Sequence, residues 1–329
     1  MKVALAQLNV TVGDLSGNAD RIITEARRAH ALGAQCVLTP ELSLCGYPPE
    51  DLLLRPAFLA ACDTELQRIA AALADCAGLH VVVGHPVALG QGARERSWSV
   101  PGCLNVASVL SGGRVVGRYA KRELPNYQVF DERRYFASGR DAGLAPLVIE
   151  VGGVRLGLLI CEDAWFDEPA AAAKAAGAEV LCVLNASPFH LGKVEEREAR
   201  MADRARAAGL PLLYAHLVGG QDEMVFDGAS FALQADGSLA ARAPMFEEAL
   251  AVLEVRATGL RGEVQALPAF EAQAWGALVI GVRDYLGKNG FPGAIIGLSG
   301  GIDSALVLAI AVDALGADKV RAVMMPSPY

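Results

Sequence analysis

What the 329-residue sequence lacks excludes a good deal. It has no basic tract and a net charge of −8, which argues against a nucleic-acid binder. It has no uncharged apolar run of about 18 residues that would suggest a membrane span. Its start, "MKVALAQLNV", carries one lysine and reaches Gln7 and Asn9 too soon for a signal peptide; it reads as a first strand. It has seven cysteines, at 36, 45, 62, 76, 103, 161 and 182, without CxxC spacing, which fits a reducing cytoplasm better than a disulfide framework. Lysine is scarce. Only six of the 29 basic residues are lysine, so Lys121 and Lys193, both beside loop signals, suggest sites that need an ammonium rather than a guanidinium. Ordinary surface lysines are the competing reading.

At 53% hydrophobic the chain can bury a large core, and its length exceeds one ordinary domain. Apolar strands alternate with Ala-rich helical segments, the pattern of an α/β protein. "ADRIITEARRAHALGA" reads as an amphipathic helix, "QCVLTP" as a strand entering a Pro-rich loop, and "AFLAACDTELQRIAAALADCAG" as a helix carrying Cys62 and Cys76. "HVVVGHPV" is a strand. A polar, Gly-containing segment leads to the hairpin "LNVASVLSGGRVVGRYAK", with Gly-Gly at its turn. An irregular aromatic loop comes next, "RELPNYQVFDERRYFASG". Then come "LVIEVGGVRLGLLICEDAW", the helix "EPAAAAKAAGA", the strand "EVLCVLNASPF", the helix "KVEEREARMADRARAAG" and the strand "PLLYAHLV". Further short strands extend to about residue 255.

Strand ends of α/β sheets carry functional groups. Glu41 follows "CVLTP", Cys161 follows "LGLLI", Ser187 lies in "NASPF", and Lys121 ends "RVVGRYAK". Most of the cysteines read as small buried hydrophobes. Cys161 alone combines a strand end with polar neighbours; it is either a core residue or a nucleophile. A thiolate that attacks a carbonyl needs a base for its proton, which a buried carboxylate supplies, and a cation for the resulting oxyanion, which an ammonium supplies. None of the five histidines forms an obvious Cys–His pair.

"PELSLCGYPPEDLLLRPAF", "YAKRELPNYQVFDERRYF" and "LICEDAW" resemble the three motifs of the nitrilase superfamily, in the extended forms of the glutaminase domain of glutamine-dependent NAD synthetases. The resemblance implies a four-layer αββα sandwich that associates into oligomers, with Glu41 as general base, Lys121 as oxyanion stabiliser and Cys161 as nucleophile. It also implies glutamine-binding positions at Tyr127, Ser187 and Lys193. Cys45 stands where relatives are expected to carry Thr, and packing is the favoured reading of it. Glu162 and Asp163 are expected to fix the turn after the strand rather than move protons.

A second domain is expected to begin near residue 265. "EAQAWGALVIGVRDYLGKNG" reads as a helix ended by Asn289-Gly290, and "GAIIGLSGGIDSALVLAIAVDALG" as strand, Gly-rich loop and helix. The loop lacks Walker A spacing, yet consecutive Ser-Gly-Gly amides at a helix start make an anion nest. A Gly-rich turn without a ligand is the alternative. "SGGIDS" resembles the pyrophosphatase loop of ATP-dependent amide ligases, which implies a doubly wound, Rossmann-like domain. That resemblance puts ATP across Gly297, Leu298, Ser299, Gly300, Gly301, Ile302, Asp303 and Ser304, and "VMMPSPY" continues it.

The organisation expected is therefore a glutaminase over 1–258, then a linker and the beginning of an ATP-pyrophosphatase domain over 259–329. By resemblance, glutamine supplies ammonia, ATP activates deamido-NAD, and the products are NAD, AMP and diphosphate. Magnesium is implied for the ATP step, with ligands not located, and no cofactor for the glutaminase step. Two strands and two helices are too few to bury a doubly wound sheet. The second domain is thus expected to be cut short, with residues 265–329 poorly packed or leaning on a neighbour. The chain is then expected to hydrolyse glutamine without making NAD. A freestanding nitrilase-type amidase and a non-catalytic assembly module are the competing readings.

Overall fold

The computed structural model describes residues 1–89 and 102–326. The expected polar segment before the hairpin, and the last three residues of "VMMPSPY", lie outside them.

The first half of the chain forms β1 (Lys2–Gln7), α1 (Leu15–Ala31), β2 (Cys36–Leu38), α2 (Pro56–Ala72), β3 (His80–Ala88), β4 (Cys103–Ser111) and β5 (Arg114–Ala120). Next come β6 (Val148–Val151), β7 (Val154–Ile160), α3 (Asp167–Ala175), β8 (Val180–Asn185), α4 (Lys193–Ala208) and β9 (Leu212–His216). Six short strands succeed them: β10 (Val218–Gln221), β11 (Met224–Asp227), β12 (Phe231–Leu233), β13 (Leu239–Arg242), β14 (Ala249–Arg256) and β15 (Gly259–Arg261). The chain continues with α5 (Phe270–Lys288), β16 (Ala294–Leu298), α6 (Ile302–Leu315) and β17 (Val320–Met324).

Two mixed sheets result. The first runs β15-β14-β1-β2-β3-β4-β5 and the second β13-β12-β9-β8-β7-β6. Strands β1–β2–β3 are mutually parallel, as are β7–β8–β9. Period-2 alternation assigns the faces. Val3, Leu5, Cys36, Leu38 and Val82 meet the second sheet, while Ala4, Ala6, Val37, Val81 and Val83 meet α1 and α2. On the far side, Ala170 and Ala173 of α3 and Met201 and Ala205 of α4 cover the second sheet. The architecture is the four-layer αββα sandwich. Among the described residues no helix is long and apolar enough to cross a membrane, and all seven cysteines are free and buried.

Two local expectations need correction. Helix α2 stops at Ala72, so Cys76 lies in the turn beyond it rather than on the helix. There Asp75 accepts from Arg27 (2.9 and 3.1 Å), and backbone bonds from Cys76 to Leu73 and from Leu79 to Cys76 curl the chain so that all three residues are buried. "PLLYAHLV" is not one strand. It breaks at Leu217, whose N–H donates to Asn185 O, and β10 leaves the sheet to pair with β11 as a separate hairpin. The Gly112-Gly113 turn is as expected: both residues have positive φ (56° and 79°), which a two-residue hairpin turn of this kind requires.

The β10–β11 hairpin joins the sandwich to helix α5. On one side Asp227, at the end of β11, takes a bidentate ion pair from Arg197 of α4 (2.8 and 2.7 Å), both fully buried. On the other side lies α5 itself. Asp284 Oδ2 accepts from Gly220 N (2.6 Å) and Asn9 Nδ2 (2.8 Å), and Lys288 Nζ donates to Val10 O and Gly220 O, both at 2.7 Å. Helix α6 packs on α5 through Ile310 and Ala314, and β16 and β17 pair in parallel through it as one βαβ unit. Ile295 and Met324 of this pair are 73% and 68% exposed, so the small sheet is uncovered.

Burial opposes the ionisation of Asp227, but the Arg197 guanidinium outweighs it and holds the carboxyl well below the aspartate value of 3.8. The stability this group brings is therefore present above that value and lost as the pH falls below it. Asp227→Asn leaves Arg197 buried without its counter-charge and should lower the unfolding free energy by about 3–5 kcal/mol at neutral pH, measured in urea. The variant should also lose less further stability than the parent between about pH 5 and about pH 3. A variant as stable as the parent would refute this role for the pair.

Candidate active site

Three strand ends meet at one rim of the sandwich. After β2 the chain makes a tight turn in which Leu42 adopts a left-handed φ of 48° and the Glu41 side chain is buried. Thr39 Oγ1 bonds Val82 O (3.0 Å) and Ser43 Oγ (2.7 Å), tying the turn to β3. The turn lies directly on Gly84 of β3. A Cβ there would sit 2.5 Å from Leu42 N and 2.6 Å from Pro40 O, closer than real carbon atoms come. Lys121 extends β5, its N–H donating to Asn105 O of β4 (2.9 Å). Cys161, at the end of β7, comes from the opposite sheet.

Cys161 has φ 45°, an uncommon conformation for a residue with a side chain, and opens a 3-10 turn over Cys161–Trp165. The Asp163 carboxylate holds that turn. It accepts from Ile160 N (3.1 Å), Arg122 N (2.9 Å), Glu123 N (2.8 Å) and the Tyr119 hydroxyl (2.8 Å). Asp163 thus fixes the elbow. Glu162, itself buried, takes no part in holding that turn and accepts from the Tyr127 hydroxyl at 2.9 and 3.0 Å.

The charges form one buried cluster. Lys121 Nζ donates to Glu41 Oε1 (2.7 Å) and Glu132 Oε1 (2.8 Å). Asn105 Nδ2 also donates to Glu41 Oε1 (2.8 Å), and the Tyr47 hydroxyl to Glu132 Oε1 (3.2 Å). Glu41 Oε2, Glu132 Oε2 and Asn105 Oδ1 are buried without a partner. Burial alone would lower the Lys121 ammonium, but the Glu132 and Glu41 carboxylates outweigh it and hold it well above its ordinary value. Burial raises Glu132. Burial, and then the Glu41 charge, push the Cys161 thiol well up. Its resting state is therefore the protonated thiol, so a base must take the proton during the attack itself. An acceptor oxygen, a thiol and an ammonium with one uncommitted N–H are what addition to a carbonyl carbon needs.

Glu132 and Asn105 escape the sequence reading. Glu132 lies in an irregular loop beside Asp131 with no periodicity to mark it, and Asn105 sits in a strand between apolar residues.

The other expected positions divide. Tyr127 and Glu162 line a cavity of about 390 Å³ with Asn126, Arg133 and Phe166. Lys193 lies over the Trp165 ring, 4.8 Å from its centre, and 3.2 Å from Glu196. Ser187 is buried on the turn after β8, its Oγ 3.0 Å from the Asn185 amide. The Gly297–Ser304 segment is apart from this cluster; no hydrogen bond among the described residues links it to Glu41, Lys121 or Cys161. It runs from β16 into the N-terminus of α6, with Ser304 Oγ donating to Gly301 O (2.9 Å).

Residues 2–261 match the carbon-nitrogen hydrolase family model, and residues 274–329 the NAD synthase model. The glutamine-dependent NAD(+) synthetase of Xylella fastidiosa strain Temecula1 is 48% identical over 337 residues, covering 100% of this chain and 59% of that protein. The glutamine-dependent NAD+ synthetase of Acinetobacter baumannii, solved with ADP, superposes with a TM-score of 0.90 at 39% identity, over 100% of this chain and 60% of that one. An amidase mutant from Nesterenkonia sp. AN1, with acrylamide added at its active-site cysteine, gives a TM-score of 0.65 at 29% identity, over 78% of this chain and 94% of that one. The chain thus spans about three-fifths of the length of the curated relatives it matches, 59% in the case above.

Gly84 provides a test of the geometry. Gly84→Ala must displace the Glu41 turn, because the atoms it meets are backbone. Alkylation of Cys161 by iodoacetamide should slow about tenfold or more, and the melting temperature should fall, since overpacking a buried strand costs about 1–3 kcal/mol. An unchanged alkylation rate would show that the turn does not depend on this contact.

Proposed function

The chain belongs to the carbon-nitrogen hydrolase family, and on that premise we propose that it hydrolyses the side-chain amide of glutamine through a thioester on Cys161. The observation that carries this reading is the buried Lys121 ammonium, bonded at 2.7 and 2.8 Å to Glu41 and Glu132, with the Cys161 thiol coupled to the same charges. Cys161 Sγ attacks the carboxamide carbon as its proton passes to Glu41 Oε2, the oxygen with no other donor. The carbonyl oxygen takes the electron pair and meets the free N–H of Lys121. Collapse breaks the C–N bond, the proton returns from Glu41 to the leaving nitrogen, and ammonia departs. Water then attacks the thioester as its proton passes to Glu41; the C–S bond breaks, the proton returns to the Cys161 sulfur, and glutamate is released.

The atoms left unpartnered at the site favour an amide substrate. Glu41 Oε2 and Glu132 Oε2 are both acceptors, and a primary carboxamide is a donor. The ends of glutamine have matching groups nearby: Glu162 with Tyr127 suits the α-ammonium, and Lys193 suits the α-carboxylate, with Ser187 adding a hydroxyl.

In this reading the ammonia serves a second step. We assign ATP to Gly297, Leu298, Ser299, Gly300, Gly301, Ile302, Asp303 and Ser304, where strand, glycine loop and helix N-terminus together present amides to phosphate. ATP would activate deamido-NAD, and ammonia would displace AMP to give NAD. The residue set does not by itself fit magnesium: this loop offers one carboxylate, Asp303, and among the described residues no group of three or more His, Cys, Asp or Glu could hold a metal. We place the division between the halves at 258/259, with the first sheet extending three residues past it where β15 pairs with β14. Self-association belongs to the same reading and is measurable by sedimentation. The match of residues 274–329 to NAD synthase disfavours a freestanding amidase.

Cys161→Ala removes the nucleophile and little volume, so ammonia release from glutamine should vanish while the melting temperature holds. Lys121→Arg keeps the charge but not the point-like donor, and should cost about a hundredfold or more in rate. Hydrolysis surviving in Cys161→Ala would sink the assignment. Calorimetric titration of the chain with ATP tests the second site separately, and absence of binding would remove it.

A further inference from the structure

The Glu41 carboxylate is asymmetrically dressed. Oε1 accepts two hydrogen bonds, from Lys121 Nζ (2.7 Å) and Asn105 Nδ2 (2.8 Å), while Oε2 accepts none. The strand register explains why both donors reach one oxygen. Val106 pairs with Ala120, and Lys121 N donates to Asn105 O (2.9 Å), so Asn105 and Lys121 are direct neighbours on antiparallel β4 and β5. Cross-strand neighbours project to the same face. Both side chains are fully buried and converge on the carboxylate of Glu41, in the turn that follows β2.

We propose that Asn105 is a positioning residue that locks the rotation of the Glu41 carboxylate, so that Oε2 alone is presented to the Cys161 thiol. The inference rests on the glutaminase reading above and adds to it a reason why only one oxygen of the base works. With Lys121 as sole donor, the carboxylate could swing about one bond and offer either oxygen, or pair Lys121 through both. The second anchor removes that freedom, because two donors from two fixed strands define the carboxylate plane. The carboxylate must also let go of the thiol proton when the C–N bond breaks. Only an oxygen that no other donor occupies can take the proton and return it without breaking the Lys121 pair. A buried Asn spends its amide on this contact at a cost, since its Oδ1 is left without a donor. A residue kept only for packing would not need a polar group there.

Two variants of the full chain test this, assayed for ammonia release from glutamine across pH. Asn105→Ala should lower kcat about 10- to 100-fold with KM little changed, the loss expected for one hydrogen bond to a charged group. Asn105→Asp, of the same shape, puts a carboxylate against Glu41. It should move the acidic limb of the kcat/KM profile up by about one pH unit or more. Parent-like kcat and pH profiles in both variants would overturn the proposal. If Asn105→Ala fails to fold, the isosteric Asn105→Asp decides alone. A glutamine-free arm separates this inference from the reading beneath it. The pH dependence of Cys161 alkylation by iodoacetamide should shift in Asn105→Asp relative to the parent. A parent chain that releases no ammonia, yet shows this shift, would refute the glutaminase reading and keep the role of Asn105. An active parent whose alkylation profile matches that of Asn105→Asp would do the reverse.

Discussion

A lysine with no exposure to water, held between two carboxylates, governs this structure. Alone, an ammonium in that position would give up its proton; two carboxylates alone would repel each other and protonate. Together Lys121, Glu41 and Glu132 form one buried hydrogen-bonded cluster in which the two carboxylates hold the Lys121 ammonium well above its ordinary value, and each other feature of the site maintains the arrangement. Asn105 and Tyr47 each add a second donor to the Oε1 atom of one acid, Gly84 makes room for the turn that carries Glu41, and the β4–β5 ladder sets the depth of Lys121. Burial first, and then the Glu41 carboxylate, keep the neighbouring thiol protonated until it reacts.

The elbow at Cys161 shows the same economy on the other sheet. A left-handed φ at a residue with a side chain is strained, and four donors converging on Asp163 offset that strain.

Much of this was legible in the sequence, and the limits have physical causes. Glu41 and Cys161 each follow a short apolar run, and a buried strand that stops at a polar residue is a strong local signal, whereas Lys121 follows a half-exposed strand and is marked by the scarcity of lysine and by its motif. The layers could be read from strands and helices in alternation. Glu132 could not be picked from Asp131, because which of two adjacent loop acids turns inward is decided by tertiary contacts. Asn105 was hidden because its strand is buried on both faces, so alternation gives no contrast. The break at Leu217 was missed for a similar reason. An apolar run does not reveal that its two ends belong to different sheets. The Arg197–Asp227 pair joins a helix to a hairpin 30 residues away, a distance at which no spacing rule operates.

The reacting groups are divided between the two sheets: base and cation on one, thiol on the other. The gap between them is therefore set by the thickness of the apolar layer that includes Leu5, Leu38, Val82, Leu158 and Ile160. That layer acts as a spacer gauge. A change of one methylene there, or compression of the interior by hydrostatic pressure, alters the reach from thiol to carboxylate although no polar atom has been touched. Rate measured against pressure would thus read out the mechanical stiffness of the sandwich, and silent-looking core substitutions would surface as kinetic ones.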